Sequence, residues 1–230
     1  MVLGLAFSPD GMRLASASLD GTAKVRDLAS GEEFTFSGLT FPAWITGVAF
    51  SPDGETLFAG IAEDKFIYQW DVGTGQEVKT FSSDGKEIFG IALSPEGSLL
   101  AAGDQDGNIH VWEVESGKKL YTVSGHAGLV NRLAFNRDGS QLASAGFDRL
   151  AKVWDVNNGN ELFSLYGNTS NVLGVAFSPD GERLATAGAD GSIRTYILQI
   201  DQLIALARAR LTRTLTQEEC RKFLHAETCP

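Results

Sequence analysis

The tetrapeptide Ser8-Pro9-Asp10-Gly11 recurs along this chain at a nearly constant interval, and this repetition limits the accessible folds more than any other feature. It returns as Ser51-Pro52-Asp53-Gly54, Ser94-Pro95-Glu96-Gly97, Asn136-Arg137-Asp138-Gly139 and Ser178-Pro179-Asp180-Gly181. The copies begin at positions 8, 51, 94, 136 and 178, in steps of 43, 43, 42 and 42 residues. A steady period of roughly 20–50 residues is the mark of one supersecondary unit repeated as an array.

Each unit carries the same local signals. An alternating apolar run precedes the turn, as in Val2 to Phe7 and Val130 to Phe135. Proline pre-sets the backbone angle of the turn, aspartate tolerates the next position, and glycine supplies the positive φ that returns the chain to a strand. A second strand follows, such as Gln141 to Gly146, and then a turn holding Asp20, Asp64, Asp106, Asp148 or Asp190. A third strand (Leu150 to Asp155 in the fourth copy) and a glycine turn lead to a fourth strand, Glu161 to Leu165. The fifth copy has three strands and no fourth, because the period-two pattern stops after Leu198. Four short antiparallel strands per unit predict an all-β array of propeller blades.

The stretch Gly125 to Val156 is the one complete copy, with His126, Ser144, Asp148 and Trp154 spaced through it. Trp70-Asp71 and Trp154-Asp155 repeat a dipeptide that Trp112-Glu113 nearly repeats. On these motifs residues 1–198 resemble the WD-repeat family. The resemblance implies five blades, the last without its outer strand, in a partial or open β-propeller. It also implies that His126, Ser144, Asp148 and Trp154 form a buried hydrogen-bonded tetrad. The other copies depart from it: Arg26 replaces the Trp, Ala59 or Gly60 and Ala102 replace the hydroxyl, and Thr195-Tyr196 replaces Trp-Asp.

His, Ser and Asp in one copy also suggest a nucleophilic triad. A tetrad eroded in four copies behaves as optional structural glue, and no nucleophile turn or oxyanion loop accompanies Ser144. No phosphate loop or metal-ligand cluster appears either. The expected function is therefore a non-catalytic scaffold without cofactor or metal that binds a protein or peptide, with a small-ligand-sensing or enzymatic propeller as the alternative.

The expected binding surface is the top face, where the tetrad turns lie and the neighbouring residues are apolar. The candidates are Leu19, Phe41, Trp44, Phe89, Leu129 and Phe147. The second position of each first strand is Leu3, Thr46, Phe89, Asn131 or Leu173. The bland alternative is that these residues line a packed channel and that Trp44 tucks beneath a loop.

Composition limits the partners. The formal charge of −10 opposes a general binder of phosphate backbones, so nucleic acid is not expected. No run is long and apolar enough for a membrane helix and no signal peptide is evident, which leads to the expectation of a cytoplasmic protein. The two cysteines, Cys220 and Cys229, both lie in the tail and are expected as free thiols, with a disulfide between them or, with His225, a zinc site as the alternatives.

Residues 199–230 change pattern. Asp201 can cap a helix carrying Leu203, Ile204, Leu206, Ala207 and Leu211, and Thr216 to Glu219 can cap a second, so a helical hairpin is expected. The tail resembles those of bacterial multi-domain WD-repeat proteins, including sensor regions of signal-transducing ATPases with numerous domains. With that resemblance and with both halves of the ring closure missing, the expectation is the C-terminal part of a larger propeller of a signalling or sensor protein; the rival is a strained five-bladed ring or an arc that self-associates through its unclosed ends.

Overall fold

The computed structural model describes residues 1–36, 43–63, 65–199 and 204. The chain divides into two units, Met1–Tyr196 and Ile197–Pro230. Apart from residue 204, the tail from position 200 onward, with Cys220, His225 and Cys229, lies outside the described residues, as do Phe41 and Asp64.

Five antiparallel sheets follow one another as blades of a propeller. Blade 1 contains β1 (Val2–Phe7), β2 (Arg13–Ser18), β3 (Ala23–Asp27) and β4 (Glu33–Phe36). Blade 2 contains β5 (Ile45–Phe50), β6 (Thr56–Ile61), β7 (Phe66–Asp71) and β8 (Glu77–Ser82). Blade 3 contains β9 (Ile88–Leu93), β10 (Leu99–Asp104), β11 (Asn108–Glu113) and β12 (Lys119–Ser124). Blade 4 contains β13 (Val130–Phe135), β14 (Gln141–Gly146), β15 (Ala151–Asp155) and β16 (Glu161–Leu165). Blade 5 has three strands among the described residues, β17 (Val172–Phe177), β18 (Arg183–Gly188) and β19 (Ile193–Ile197).

The repeated turn is held by a side chain that its φ preferences do not reveal. Ser8 Oγ accepts a hydrogen bond from the Arg13 amide at 2.8 Å and donates to Asp10 Oδ1 at 2.5 Å. Asp10 in turn accepts from the Met12 amide at 2.9 Å. Ser51–Asp53 and Ser178–Asp180 repeat the arrangement, and in blade 4 Asn136 Oδ1 replaces the serine by accepting from the Gln141 amide at 2.9 Å. The serine closes the turn across both strand ends, satisfying groups a bare hairpin would leave to water.

The apolar core is divided into wedges between adjacent blades. One cluster joins Ala15, Ala17, Val25 and Phe36 to Val48, Phe50, Leu57 and Trp70, and two others fill the next two junctions. Trp70 stacks on Phe36 of the preceding blade with ring centres 5.3 Å apart. The fourth strands clasp the following blade: Tyr121 donates to the Val156 carbonyl at 2.6 Å, and Lys79 donates to the Val114 carbonyl at 2.9 Å.

β1, β5, β9, β13 and β17 are successive neighbours around the centre. Each carries a bulge at its second residue, so Leu3, Thr46, Phe89, Asn131 and Leu173 have no ladder partner. A bulged residue is freed from the ladder and its side chain re-aimed. Four of the five, Leu3, Thr46, Phe89 and Asn131, line one cavity at the inner wall.

The terminal blades each leave a face unpacked. Leu5 and Phe7 are 64% and 65% exposed, whereas their counterparts Val48 and Phe50 are each 8% exposed against blade 1. Ile193 is exposed on blade 5, whereas its blade 1 counterpart Ala23 is buried. Full burial of an apolar side chain of this size contributes about 1.5–3 kcal/mol, so these faces hold unused packing energy.

Candidate functional site

The β2–β3, β6–β7 and equivalent turns are pinned to the residue that enters each inner strand. Phe147 N donates to the Leu129 carbonyl at 2.9 Å, and Ala62 N donates to the Trp44 carbonyl at 3.1 Å. Apolar side chains from four blades surround a cavity of about 320 Å3 at the mouth of the central channel. Leu19, Trp44, Phe89, Leu129 and Phe147 all line it, together with Leu3, Thr46 and Asn131. Trp44 is 49% exposed and Phe147 is 38% exposed, so neither is tucked beneath a loop. Leu173 shares the bulged position but does not line this cavity.

Two of the bulged residues that line the cavity, both polar, also tie neighbouring blades. Thr46 Oγ1 lies 3.1 Å from the Gly60 carbonyl and 3.0 Å from the Ile88 carbonyl, and Asn131 Nδ2 donates to the Leu173 carbonyl at 2.7 Å.

Arg132 enters the same space and escapes the sequence reading. The residue after the bulge is Gly4, Gly47, Gly90 and Gly174 in the other blades, and Arg132 in blade 4. Close approach explains the glycines of blades 1 to 3: a Cβ on Gly90 would meet Arg132 Cα at 2.9 Å, one on Gly47 an Ile91 side-chain carbon at 3.3 Å, and one on Gly4 the Gly47 Cα at 3.3 Å. Arg132 donates to the Asn131 carbonyl at 2.9 Å and to the Leu3 carbonyl across the channel. No carboxylate among the described residues pairs with it. Burial presses its pKa below the usual value, yet a guanidinium stays charged.

His126, Ser144, Asp148 and Trp154 meet in blade 4. His126 Nδ1 lies 2.9 Å from Asp148 Oδ1, His126 Nε2 lies 2.7 Å from Ser144 Oγ, and Trp154 Nε1 donates to Ser144 Oγ at 2.8 Å. Indole can only donate, so Trp154 gives to Ser144, and the remaining bonds run in one order, Ser144 to Nε2 and Nδ1–H to Asp148, when the single ring proton sits on Nδ1. This order requires a neutral imidazole. Burial is the main cause that lowers the His126 pKa, and it outweighs the opposing attraction of Asp148. For Asp148, burial acts to raise the pKa, but the bonds from His126, Ala127 N and Leu150 N together hold it below the ordinary carboxylate value.

The distances are those of a Ser-His-Asp triad, but Ser144 is fully buried and its oxygen already accepts from Trp154. A nucleophile needs an open approach for the reacting carbon and donors around the developing oxyanion. Ser144 has no such approach. Two glycines make room for the network: a Cβ on Gly146 would sit 2.2 Å from His126 Nδ1, and one on Gly125 would sit 3.1 Å from the Trp154 ring.

Three other blades contain substitutes that sequence reasoning missed. In blade 3 the buried carboxylate is Asp104, not Asp106, and it lies 3.0 Å from His110 Nε2. His110 Nδ1 continues to Thr122 Oγ1 at 3.0 Å, and its ring stacks on Trp112. Asp106 is a surface residue paired with Lys86. In blade 5 Asn168 occupies the place of His126 and meets Thr186, Arg194 and Tyr196. In blade 2 Glu63 accepts from the Trp44 amide at 2.7 Å. The spacing of Asn168, 42 residues after His126, was a readable signal.

Among the described residues, no group of three or more His, Cys, Asp or Glu is placed to hold a metal, and no helix is long and apolar enough to cross a membrane. The model of the family "WD domain, G-beta repeat" matches residues 1–27, 33–71, 75–113, 117–155 and 159–196. The guanine nucleotide-binding protein subunit beta of Arabidopsis thaliana is 34% identical over 111 residues, covering 44% of this chain and 29% of that protein. COMPASS component SWD3 of Saccharomyces cerevisiae is 32% identical over 104 residues, 45% of this chain and 32% of its own length. A WD repeat-containing protein of Synechocystis sp. is 34% identical over 100 residues, 43% of this chain and 28% of its own. The matches therefore span no more than about a third of these relatives. With five repeats matched by the family model and five blades built on them, the chain belongs to the WD40-repeat family of β-propellers.

Proposed function

We propose that this chain is a non-catalytic scaffold that receives a segment of a partner protein at the mouth of its channel. The observation that supports this most is the cavity where Leu19, Trp44, Phe89, Leu129 and Phe147 converge while Trp44 and Phe147 remain open to solvent. Aromatic side chains that line a concave, partly exposed site are characteristic binding anchors. The names of the relatives, a G-protein subunit and a complex component, point to protein assembly in the same family. The closed Ser144 supports a structural rather than catalytic role for the tetrad. Binding to a partner should weaken at least about tenfold in Trp44→Ala and Phe147→Ala. Unchanged binding in both variants would refute this reading.

A second reading concerns the unpacked faces of blades 1 and 5, with exposed Leu5, Phe7 and Ile193. Every inner junction joins the same two kinds of face, so head-to-tail pairing of copies would complete the packing. Light scattering that finds a monomer at high concentration would exclude it. The reading as the sensor part of a longer cytoplasmic bacterial signalling protein rests on the resemblance of the tail. Sequencing the flanking gene tests it, and a flanking gene without further repeats or a signalling domain would refute it.

A further inference from the structure

At the inner wall four blades present glycine where the fifth presents Arg132, and this exception stands at the base of the apolar mouth. The side chain is half-buried and lines both the mouth and the channel beneath it. It satisfies part of its guanidinium on the Leu3 and Asn131 carbonyls and has no carboxylate partner among the described residues. A guanidinium carries five N–H donors. Its remaining donors are left for water or a ligand.

In a chain with a formal charge of −10, a desolvated cation without a counter-ion among the described residues, at the centre of a binding mouth, is a local reversal of sign. The reversal excludes an inserted Lys or Arg side chain, which would meet a like charge in a poorly hydrated space. It favours an anion, and a planar carboxylate can take two parallel bonds from the fork of an arginine.

The surrounding apolar walls require that the anion arrive attached to an apolar group. The space, about 320 Å3, holds one large side chain with its backbone and little more. A chain end can enter such a funnel end-on, whereas an internal segment would have to fold back on itself to bring its backbone down. We propose that the mouth is a receptor for the free C-terminus of a partner protein, with an apolar last side chain packed among Phe89, Leu129 and Trp44 and its α-carboxylate bound by Arg132. This rests on the top-face reading above and specifies the chemistry of its ligand.

The test uses the full chain and synthetic heptapeptide libraries with randomised last three positions, prepared as free acids and as C-terminal amides. Selection should return peptides that end in Phe, Leu, Ile or Trp. Each should bind about tenfold or more weakly as the amide, and similarly weakly to Arg132→Gln, while Arg132→Lys keeps part of the affinity. Amidation changes only the peptide, so it remains decisive even if Arg132→Gln destabilises the protein. Peptides that bind equally as acid and amide but lose binding to Trp44→Ala and Phe147→Ala would overturn the C-terminal receptor and leave the top-face reading intact. Peptides that depend on an internal Asp or Glu and on Arg132, but not on the free terminus, would also overturn it. Selected peptides that bind Trp44→Ala and Phe147→Ala normally would remove the top-face reading together with this proposal.

Discussion

The carboxylate of Asp104 and the imidazole of His110 lie 3.0 Å apart inside blade 3, where Asp104 is fully buried and His110 is 3% exposed. Asp104 also accepts from the Asp106 and Asn108 amides and from Asn108 Nδ2 at 2.8–2.9 Å. Four donors therefore converge on one buried carboxylate. Asp104→Asn would turn two of its acceptor sites into donors facing donors, at a cost of about 2–4 kcal/mol. Urea unfolding should show this loss, whereas Asp106→Asn, which affects only an exposed pair with Lys86, should leave the midpoint nearly unchanged. Equal effects of the two changes would contradict the assignment of Asp104.

Ser144→Ala separates a structural lock from a binding site. It would leave Trp154 Nε1 without an acceptor and His126 Nε2 without a donor in a buried place. The expected cost is about 2–3 kcal/mol of stability with partner affinity preserved. Trp44→Ala should give the opposite result, because its side chain is largely exposed at the mouth. Affinity and unfolding midpoints measured on both variants check the separation.

The neutral imidazole of His126 makes the fold sensitive to acid. Its folded pKa lies below the ordinary value of about 6.5, so between the two values the unfolded chain binds a proton that the folded chain does not. Stability is fully present above about pH 6.5 and falls as pH drops towards the folded pKa. Asp104 and Asp148, whose pKa values are also lowered, extend the loss to lower pH as their carboxylates protonate. His126→Asn copies the residue that blade 5 uses at this position, Asn168. It should cost stability at neutral pH but flatten the slope just below about pH 6.5. A slope of wild-type steepness in this variant would show that another group is responsible.

Tyr121 supplies a test at the alkaline end. Burial first, and then the nearby charge of Asp155, push its phenol up to about 12, and its hydroxyl holds the Val156 carbonyl of the next blade. Tyr121 should therefore ionise late in a phenolate absorbance titration, and Tyr121→Phe should remove that late phase. The sign is opposite to that of His126: the contribution is intact below about pH 10 and disappears as pH rises towards about 12. At neutral pH the Phe variant should lose about 1 kcal/mol.

The period and its turn chemistry made the strands readable, because a two-residue alternation between glycine turns leaves few other structures. Observed strand ends such as Val2–Phe7 and Val130–Phe135 coincide with the sequence reading, and others, such as Ala151 for Leu150, move by one residue. The placement of Leu19, Trp44, Leu129 and Phe147 was readable for the same reason, since each flanks a turn of fixed position. Asp104 was not, because it lies two residues before the expected aspartate and takes space that Gly146 leaves to an imidazole in blade 4. Arg132 was missed although Gly4, Gly47, Gly90 and Gly174 make it conspicuous once the bulge is known. The bulge itself depends on pairing register, which alternation alone does not encode.

The five bulges also separate two demands that most strands must meet together. In an ordinary ladder, changing a side chain that faces a ligand also changes how its strand sits beside its neighbour. Leu3, Thr46, Phe89, Asn131 and Leu173 have no ladder partner, and the pairs on either side of each are already made. Leucine, threonine, phenylalanine and asparagine all occur at this position within one molecule, so the inner wall can be rewritten blade by blade while the strands that carry it keep their places.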